Sequence, residues 1–146
     1  MNIVIMDKSG EKWGKGVENM FLGEYRHALD EKGRLFIPAK LRESLGKHFY
    51  VSKGFDHCLF VYDEAQWAEF SAKLNALSMG QKKNRDIKRF FFSGACEIAC
   101  DKQGRALLAA NLREYAGLSK DTVIVGVGNK AEIWSAEAWQ ARNAAS

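Results

Sequence analysis

The feature that most limits how this chain can fold is that it repeats itself. A shift of 71 positions lays Asp30-Glu31-Lys32-Gly33-Arg34 over Asp101-Lys102-Gln103-Gly104-Arg105, and seven of the fifteen residues in 29–43 are identical in the second copy. Asp30, Gly33, Arg34, Ala39, Leu41, Arg42 and Glu43 return as Asp101, Gly104, Arg105, Ala110, Leu112, Arg113 and Glu114, and Gly46 returns as Gly117. Upstream, Phe21 and Gly23 return as Phe92 and Gly94. Downstream, a one-residue slip aligns Gly54, Val61, Tyr62 and Trp67 with Gly126, Ile133, Trp134 and Trp139. A fold for this sequence must therefore be built twice.

Each copy follows one grammar. Residues 23–29 and 94–100 are short strand-like runs that enter a glycine turn at Lys32-Gly33 or Gln103-Gly104, and a second apolar run follows, which predicts a hairpin in both copies. Pro38 suits the first turn of a short helix that carries Leu41 and Leu45 and stops at Gly46; Leu112 and Gly117 repeat the pattern. Residues 48–53 with 58–62, and 122–127 with 131–134, predict a second hairpin in each copy. Asp63 with Gln66 resembles a capping box, after which Trp67, Phe70, Leu74 and Leu77 form one apolar stripe on a helix running to the vicinity of Gly80. Ser135 is placed to cap the shorter equivalent. A unit with two small hairpins buries too little apolar surface to stand comfortably alone, so the copies are expected to interlock around a shared core as a pseudo-dimer within one chain.

The organisation read from these signals is an N-terminal extension at residues 1–19, a first repeat at 20–80, a basic connecting helix at 81–91 and a second repeat at 92–146. The extension is rich in Lys, Gly and Glu, and Met20 is a candidate natural start. The formal charge of +4 and pI of about 9.0 suit a polyanionic partner without requiring one. Lys82, Lys83, Arg85, Lys88 and Arg89, against Asp86, concentrate that charge between the copies, as a phosphate-binding patch or as the solvated face of a helix whose apolar side holds Ile87, Phe90 and Phe91. Three cysteines with no framework fit a reduced compartment. The opening run is too short for a signal-peptide core, and no stretch approaches the roughly 20 apolar residues of a membrane span, so a cytoplasmic protein is expected.

In Asp-x-x-Gly-Arg the glycine permits a positive φ in a tight turn, and the aspartate is near enough to accept from turn amides or from the guanidinium. An arginine held in one pose can take guanine O6 and N7 with two parallel hydrogen bonds, or clamp phosphates. Taken once, the pair reads better as a surface hairpin salt bridge contributing about 0–1 kcal/mol. Its return at the equivalent place shifts the weight toward function, since a solvated turn has little reason to retain both charges in two copies.

Together, MFLGEYRHALDEKGRLFIPAKLR at residues 20–42 and DKQGRALLAANLREYAGL at residues 101–118 resemble the two repeats of the MraZ family, and the likeness covers the chain from residue 20 onward. The resemblance implies an α+β, β-rich fold of two tandem AbrB-like swapped-hairpin repeats, interlocked as one pseudo-dimeric barrel with flanking helices. It implies a transcription regulator, usually a repressor. Such a protein forms a ring-shaped homo-oligomer and binds direct repeats of double-stranded DNA upstream of the division and cell-wall gene cluster. Carried over, the DNA-reading motif falls on Asp30 and Arg34 in the first repeat and on Asp101 and Arg105 in the second, and Lys32 and Lys102 within the same turns are the further candidate DNA-binding residues. Lys32 becomes Gln103 and Lys40 becomes Asn111, so the second turn has fewer cations nearby and Arg34 is expected to outweigh Arg105.

Other features point elsewhere less sharply. Phe90, Phe91 and Phe92 could stack on bases, but consecutive aromatics beside a strand suit a core or a subunit contact better. Cys96 and Cys100 share a strand face without a zinc-binding spacing, so no metal or other cofactor is expected. No phosphate loop, nucleophile elbow or His-Glu-x-x-His helix marks an enzyme. A partner-binding module of the same fold, antitoxin-like, is the competing reading.

Overall fold

The computed structural model describes residues 20–145; the extension at 1–19 lies outside the described residues. In chain order the elements are β1 (Glu24–Ala28), β2 (Arg34–Phe36), α1 (Ala39–Leu45), β3 (Phe49–Lys53), a 3-10 turn (Phe55–His57), β4 (Leu59–Asp63), α2 (Glu64–Asn75), α3 (Lys82–Gly94), β5 (Cys96–Ile98), β6 (Arg105–Leu107), α4 (Ala110–Tyr115), β7 (Asp121–Gly126), β8 (Ala131–Ser135) and α5 (Ala136–Ala145). The structure is mixed α+β and rich in strands.

Local signals set most of these boundaries. The Asp63 carboxylate accepts from the Gln66 amide at 2.8 Å and the Ser135 hydroxyl accepts from the Ala138 amide at 3.1 Å, the first-turn partners a helix needs. Leu41 and Leu45 are the buried side of α1, and Leu112 is its counterpart in α4. Gly46 and Gly117 follow these helices at φ +82° and +63°. α2 stops at Asn75 rather than near Gly80, and Leu77 reaches the core from beyond its end. In the other direction α3 runs on through Phe90–Phe92 to Gly94, so the strand-like run expected at 94–100 is a strand only over Cys96–Ile98.

The larger departure concerns pairing. The strands that flank each turn do not form a local hairpin ladder: β1 pairs with β7 of the other copy, β5 pairs with β3, and β2 pairs with β6. Only the turn tip closes on itself, with Leu29 bridging Leu35 in the first copy. The expected second hairpins do form, as β3 with β4 and β7 with β8, and β4 joins β8 at the centre. The result is a six-stranded sheet in the order β1-β7-β8-β4-β3-β5, plus a two-stranded ribbon of β2 and β6. The sheet has edges at β1 and β5, so these ladders do not close a barrel.

The central sheet is buried on both sides. Val51, Leu59, Val61, Ile124 and Ile133 face a core completed by Leu35 and Ala106 of the ribbon and by the leucines of α1 and α4. Phe60, Tyr62, Val123, Val125 and Trp134 alternate to the other side, where Leu74 of α2, Phe91 of α3 and Trp139 of α5 cover them. The phenylalanine run thus goes to core packing, with Phe91 buried and its two neighbours partly so. Neither repeat owns a core; the ladders and the buried layer are shared.

Candidate nucleic-acid interface

Both turns are built by the same hydrogen bonds. In the first, Asp30 Oδ1 accepts from the amides of Lys32 and Arg34, each at 2.9 Å, and Oδ2 accepts from Arg34 Nε at 2.7 Å. In the second, Asp101 Oδ1 accepts from the amides of Gln103 and Arg105 at 2.9 Å, and Oδ2 from Arg105 Nε at 2.9 Å. The backbone closes each loop: Asp30 N–H donates to the Arg34 carbonyl and Gly33 N–H to the Asp30 carbonyl, with the same pair between Asp101, Arg105 and Gly104. Gly33 and Gly104, at φ +83° and +80°, take the backbone conformation an L side chain would resist.

Each aspartate is held as an anion. The backbone amide of Arg34 acts most strongly, with its guanidinium and the Lys32 amide adding to it, and together they outweigh burial and keep the Asp30 carboxyl below its ordinary 3.8. The amide and guanidinium of Arg105, with the Gln103 amide, do the same for Asp101. An Nε committed to the aspartate leaves the two η nitrogens for a ligand. That is the edge that can reach guanine O6 and N7, or a phosphate, in bidentate fashion.

The two motifs are neighbours. β2 and β6 pair antiparallel with Leu35 opposite Ala106, which brings both arginines onto one ribbon, and Arg105 Nη1 lies 3.9 Å from Asp30 Oδ2. Arg105 therefore shares two carboxylates, while Arg34 has one and its η nitrogens have no hydrogen-bond partner among the described residues. Lys32 and Lys102 are exposed on the turn tips. Of the six sequence-derived positions, four make one connected cluster and the two lysines rim it.

Sequence reasoning left two arginines without a role. Arg42 of α1 donates from Nη1 to the Ile37 carbonyl at 2.8 Å, stacks on the Phe36 ring at 5.3 Å, and lies against Gly104 of the other copy's turn. Arg113 of α4 mirrors it, donating from Nε to the Leu108 carbonyl at 3.1 Å and covering Gly33. The backbones cross as well: Ile37 N–H donates to the Gly104 carbonyl and Leu108 N–H to the Gly33 carbonyl, both at 2.9 Å. Each copy braces the other's turn. The signal was present in the recurrence of Arg42 as Arg113, but not what either touched.

The basic helix sits apart. α3 packs on the sheet face away from the ribbon, through Phe91. Lys82 and Arg89 both pair with Asp86, at 2.6 and 3.2 Å, and Arg85 donates to the Met79 carbonyl at 2.8 Å. Among the described residues no group of three or more His, Cys, Asp or Glu side chains is placed to hold a metal ion. No described helix is long and apolar enough to cross a membrane.

Fold and site together define a class: a strand-rich tandem-repeat domain that carries two acid-pinned arginines on a ribbon built from both copies. A family model described as "MraZ protein, putative antitoxin-like" matches residues 20–90 and again residues 91–145, and the chain belongs to the MraZ family. It is 55% identical over 125 residues to the transcriptional regulator MraZ of Desulforamulus reducens, covering 86% of this chain and 88% of that one. It is 56% identical over 124 residues to the protein of the same name from Heliobacterium modesticaldum, covering 85% and 87%. For that of Symbiobacterium thermophilum the identity is 58% over 118 residues, covering 81% and 86%.

Proposed function

We propose that this chain is a sequence-specific, DNA-binding transcription regulator rather than an enzyme. It reads double-stranded DNA through Asp30 with Arg34 and Asp101 with Arg105, and Lys32 and Lys102 neutralise flanking phosphates. The observation that carries the reading is the paired geometry: two arginines fixed by matching networks on one ribbon, with the η nitrogens of Arg34 unpartnered among the described residues. Relatives of more than half identity named as transcriptional regulators support it. Arg34 is the stronger reader, because Arg105 is drawn toward a second carboxylate.

On this reading the crossed ladders are the AbrB-like swapped-hairpin arrangement. Repeats at 20–80 and 92–146 are joined by the basic helix at 81–91, with 1–19 as an extension. The protein works in the cytoplasm at the nucleoid, as a ring-shaped homo-oligomer on direct repeats upstream of its own operon, and represses the division and cell-wall genes. Several modest contacts then add by multivalency when the DNA spacing matches the ring.

The test is binding of the purified full-length chain to the DNA upstream of its own gene and to a scrambled duplex, at two salt concentrations. Selective binding should weaken with salt at a slope of about −0.9 per neutralised phosphate. Arg34→Ala should lose about 1–3 kcal/mol of discrimination, and Arg105→Ala less. Equal binding to both duplexes, or none, would refute the reading. The "antitoxin-like" wording of the family description keeps a second reading in play: a partner-binding module, whose partner would still be held by the Arg34→Ala, Arg105→Ala double variant.

A further inference from the structure

Strand alternation gives the ribbon two unlike faces. Leu35 and Ala106 are fully buried against the core, so Arg34 and Phe36 of β2 share the outer face with Arg105 and Leu107 of β6. The antiparallel register sets Arg34 directly opposite Leu107 and Arg105 directly opposite Phe36. Each arginine therefore has an apolar side chain from the other copy across from it. The two apolar partners, although equivalent in the repeat, are not alike. Phe36 is engaged by the His27 ring at 5.1 Å and by the Arg42 guanidinium at 5.3 Å. Leu107 is 59% exposed, among the most exposed large apolar side chains of the described residues.

A bare leucine opposite an arginine whose η nitrogens stay open among the described residues calls for a ligand that offers hydrogen-bond acceptors and, at the same depth, an apolar group. Double-stranded DNA meets both conditions in its major groove. The groove is about 12 Å wide, admits a two-stranded ribbon, and displays the C5-methyl group of thymine beside the acceptor edges that arginine reads. We propose that Leu107 is a specificity residue that covers a thymine C5-methyl group next to the base taken by Arg34. This rests on the DNA reading above and names what the ribbon selects beyond guanine. Opposed side chains on an antiparallel pair stand about 5 Å apart at Cβ. The base step is about 3.4 Å, so the two side chains address bases one or two steps apart. Charge favours this occupant over a second copy of the chain, because in the two turns Lys32, Arg34, Lys102 and Arg105 outnumber Asp30, Glu31 and Asp101, and the lysines on the tips have no acid paired to them among the described residues.

The probe is the upstream DNA fragment amplified with deoxyuridine in place of thymidine, which removes every C5-methyl group and leaves the hydrogen-bonding edges unchanged. Wild-type chain should bind it about fourfold more weakly for each methyl covered, the factor expected for burying one methylene-sized group. Leu107→Ala should bind ordinary DNA with the same loss and show no further loss on the uridine fragment. Equal wild-type affinity for the two fragments, or a Leu107→Ala variant as sensitive to methyl removal as wild type, overturns the proposal while leaving regulator function standing. Failure of wild type to prefer ordinary upstream DNA over a scrambled duplex overturns both. Sedimentation supplies the remaining arm: Leu107→Ala should keep the wild-type oligomeric state, and a change of state would mean that another copy covers Leu107.

Discussion

Replacing Gly33 by alanine loads the interlock between the copies where it is tightest. At φ +83° an L residue pays about 1–2 kcal/mol for the left-handed backbone. The added Cβ would also lie 2.7 Å from Arg113 Cζ and 2.8 Å from its Nε. That guanidinium is the flexible end of its side chain and can swing away, but doing so gives up its hydrogen bond to the Leu108 carbonyl, a half-exposed charged donor contributing about 1 kcal/mol. The expected loss for Gly33→Ala is therefore about 2–3 kcal/mol. In urea, with a slope of roughly 1–3 kcal/mol per molar, this lowers the midpoint by about 1 M or more at fixed protein concentration. Two further variants separate the contributions. Gly117→Ala, at φ +63° with nothing within 4 Å of its Cβ, should lose only the backbone part. In an Arg113→Ala background Gly33→Ala should fall back to that same smaller loss, since the clash is gone. If Gly33→Ala proves no worse than Gly117→Ala, or if its effect is unchanged in the Arg113→Ala background, the bracing of one copy's turn by the other's helix is refuted.

The remaining predictions follow from single contacts. The Asp30 and Asp101 carboxyls are held below the ordinary 3.8 by their turn amides and arginines, so their contribution to stability is present above pH 3.8 and is lost as pH falls through the lowered values. Between roughly pH 5 and 8 these acids should add no pH dependence to DNA binding; a titration in that window that vanishes in Asp30→Asn would contradict the pinned-arginine geometry. Asp63→Ala removes the cap on the Gln66 amide and should destabilise the chain by about 1 kcal/mol, read as a shift in the thermal or urea midpoint. Burial pushes the Cys58 thiol up to about 12, so at pH 8 it should resist a thiol reagent in the folded protein and react only on unfolding; prompt labelling would show that its site opens locally.

The candidate site was legible in the sequence to an unusual degree, because the turn is a local object. Every bond from Asp30 to its loop spans four residues or fewer, so residue types and spacing suffice to specify it. The caps at Asp63 and Ser135, and the glycine stops at Gly46 and Gly117, are local in the same way. Arg42 and Arg113 were visible only as repeated letters. Each acts on a glycine far away in the chain, and no short-range pattern encodes that contact.

By itself the sequence determined that the unit occurs twice, that each copy holds an aspartate-pinned arginine behind a positive-φ glycine, and where some helices begin, at Asp63 and Ser135, or stop, at Gly46 and Gly117. Tertiary structure decided the strand partners outside the two local hairpins β3–β4 and β7–β8. A short strand carries its apolar alternation in its own residues, but its backbone donors and acceptors are alike at every position, so nothing local says which strand completes the ladder. β2 could have paired within its own copy and pairs instead with β6. That choice puts Arg34 opposite Leu107, brings Arg105 to Asp30, and turns two separate loops into one surface.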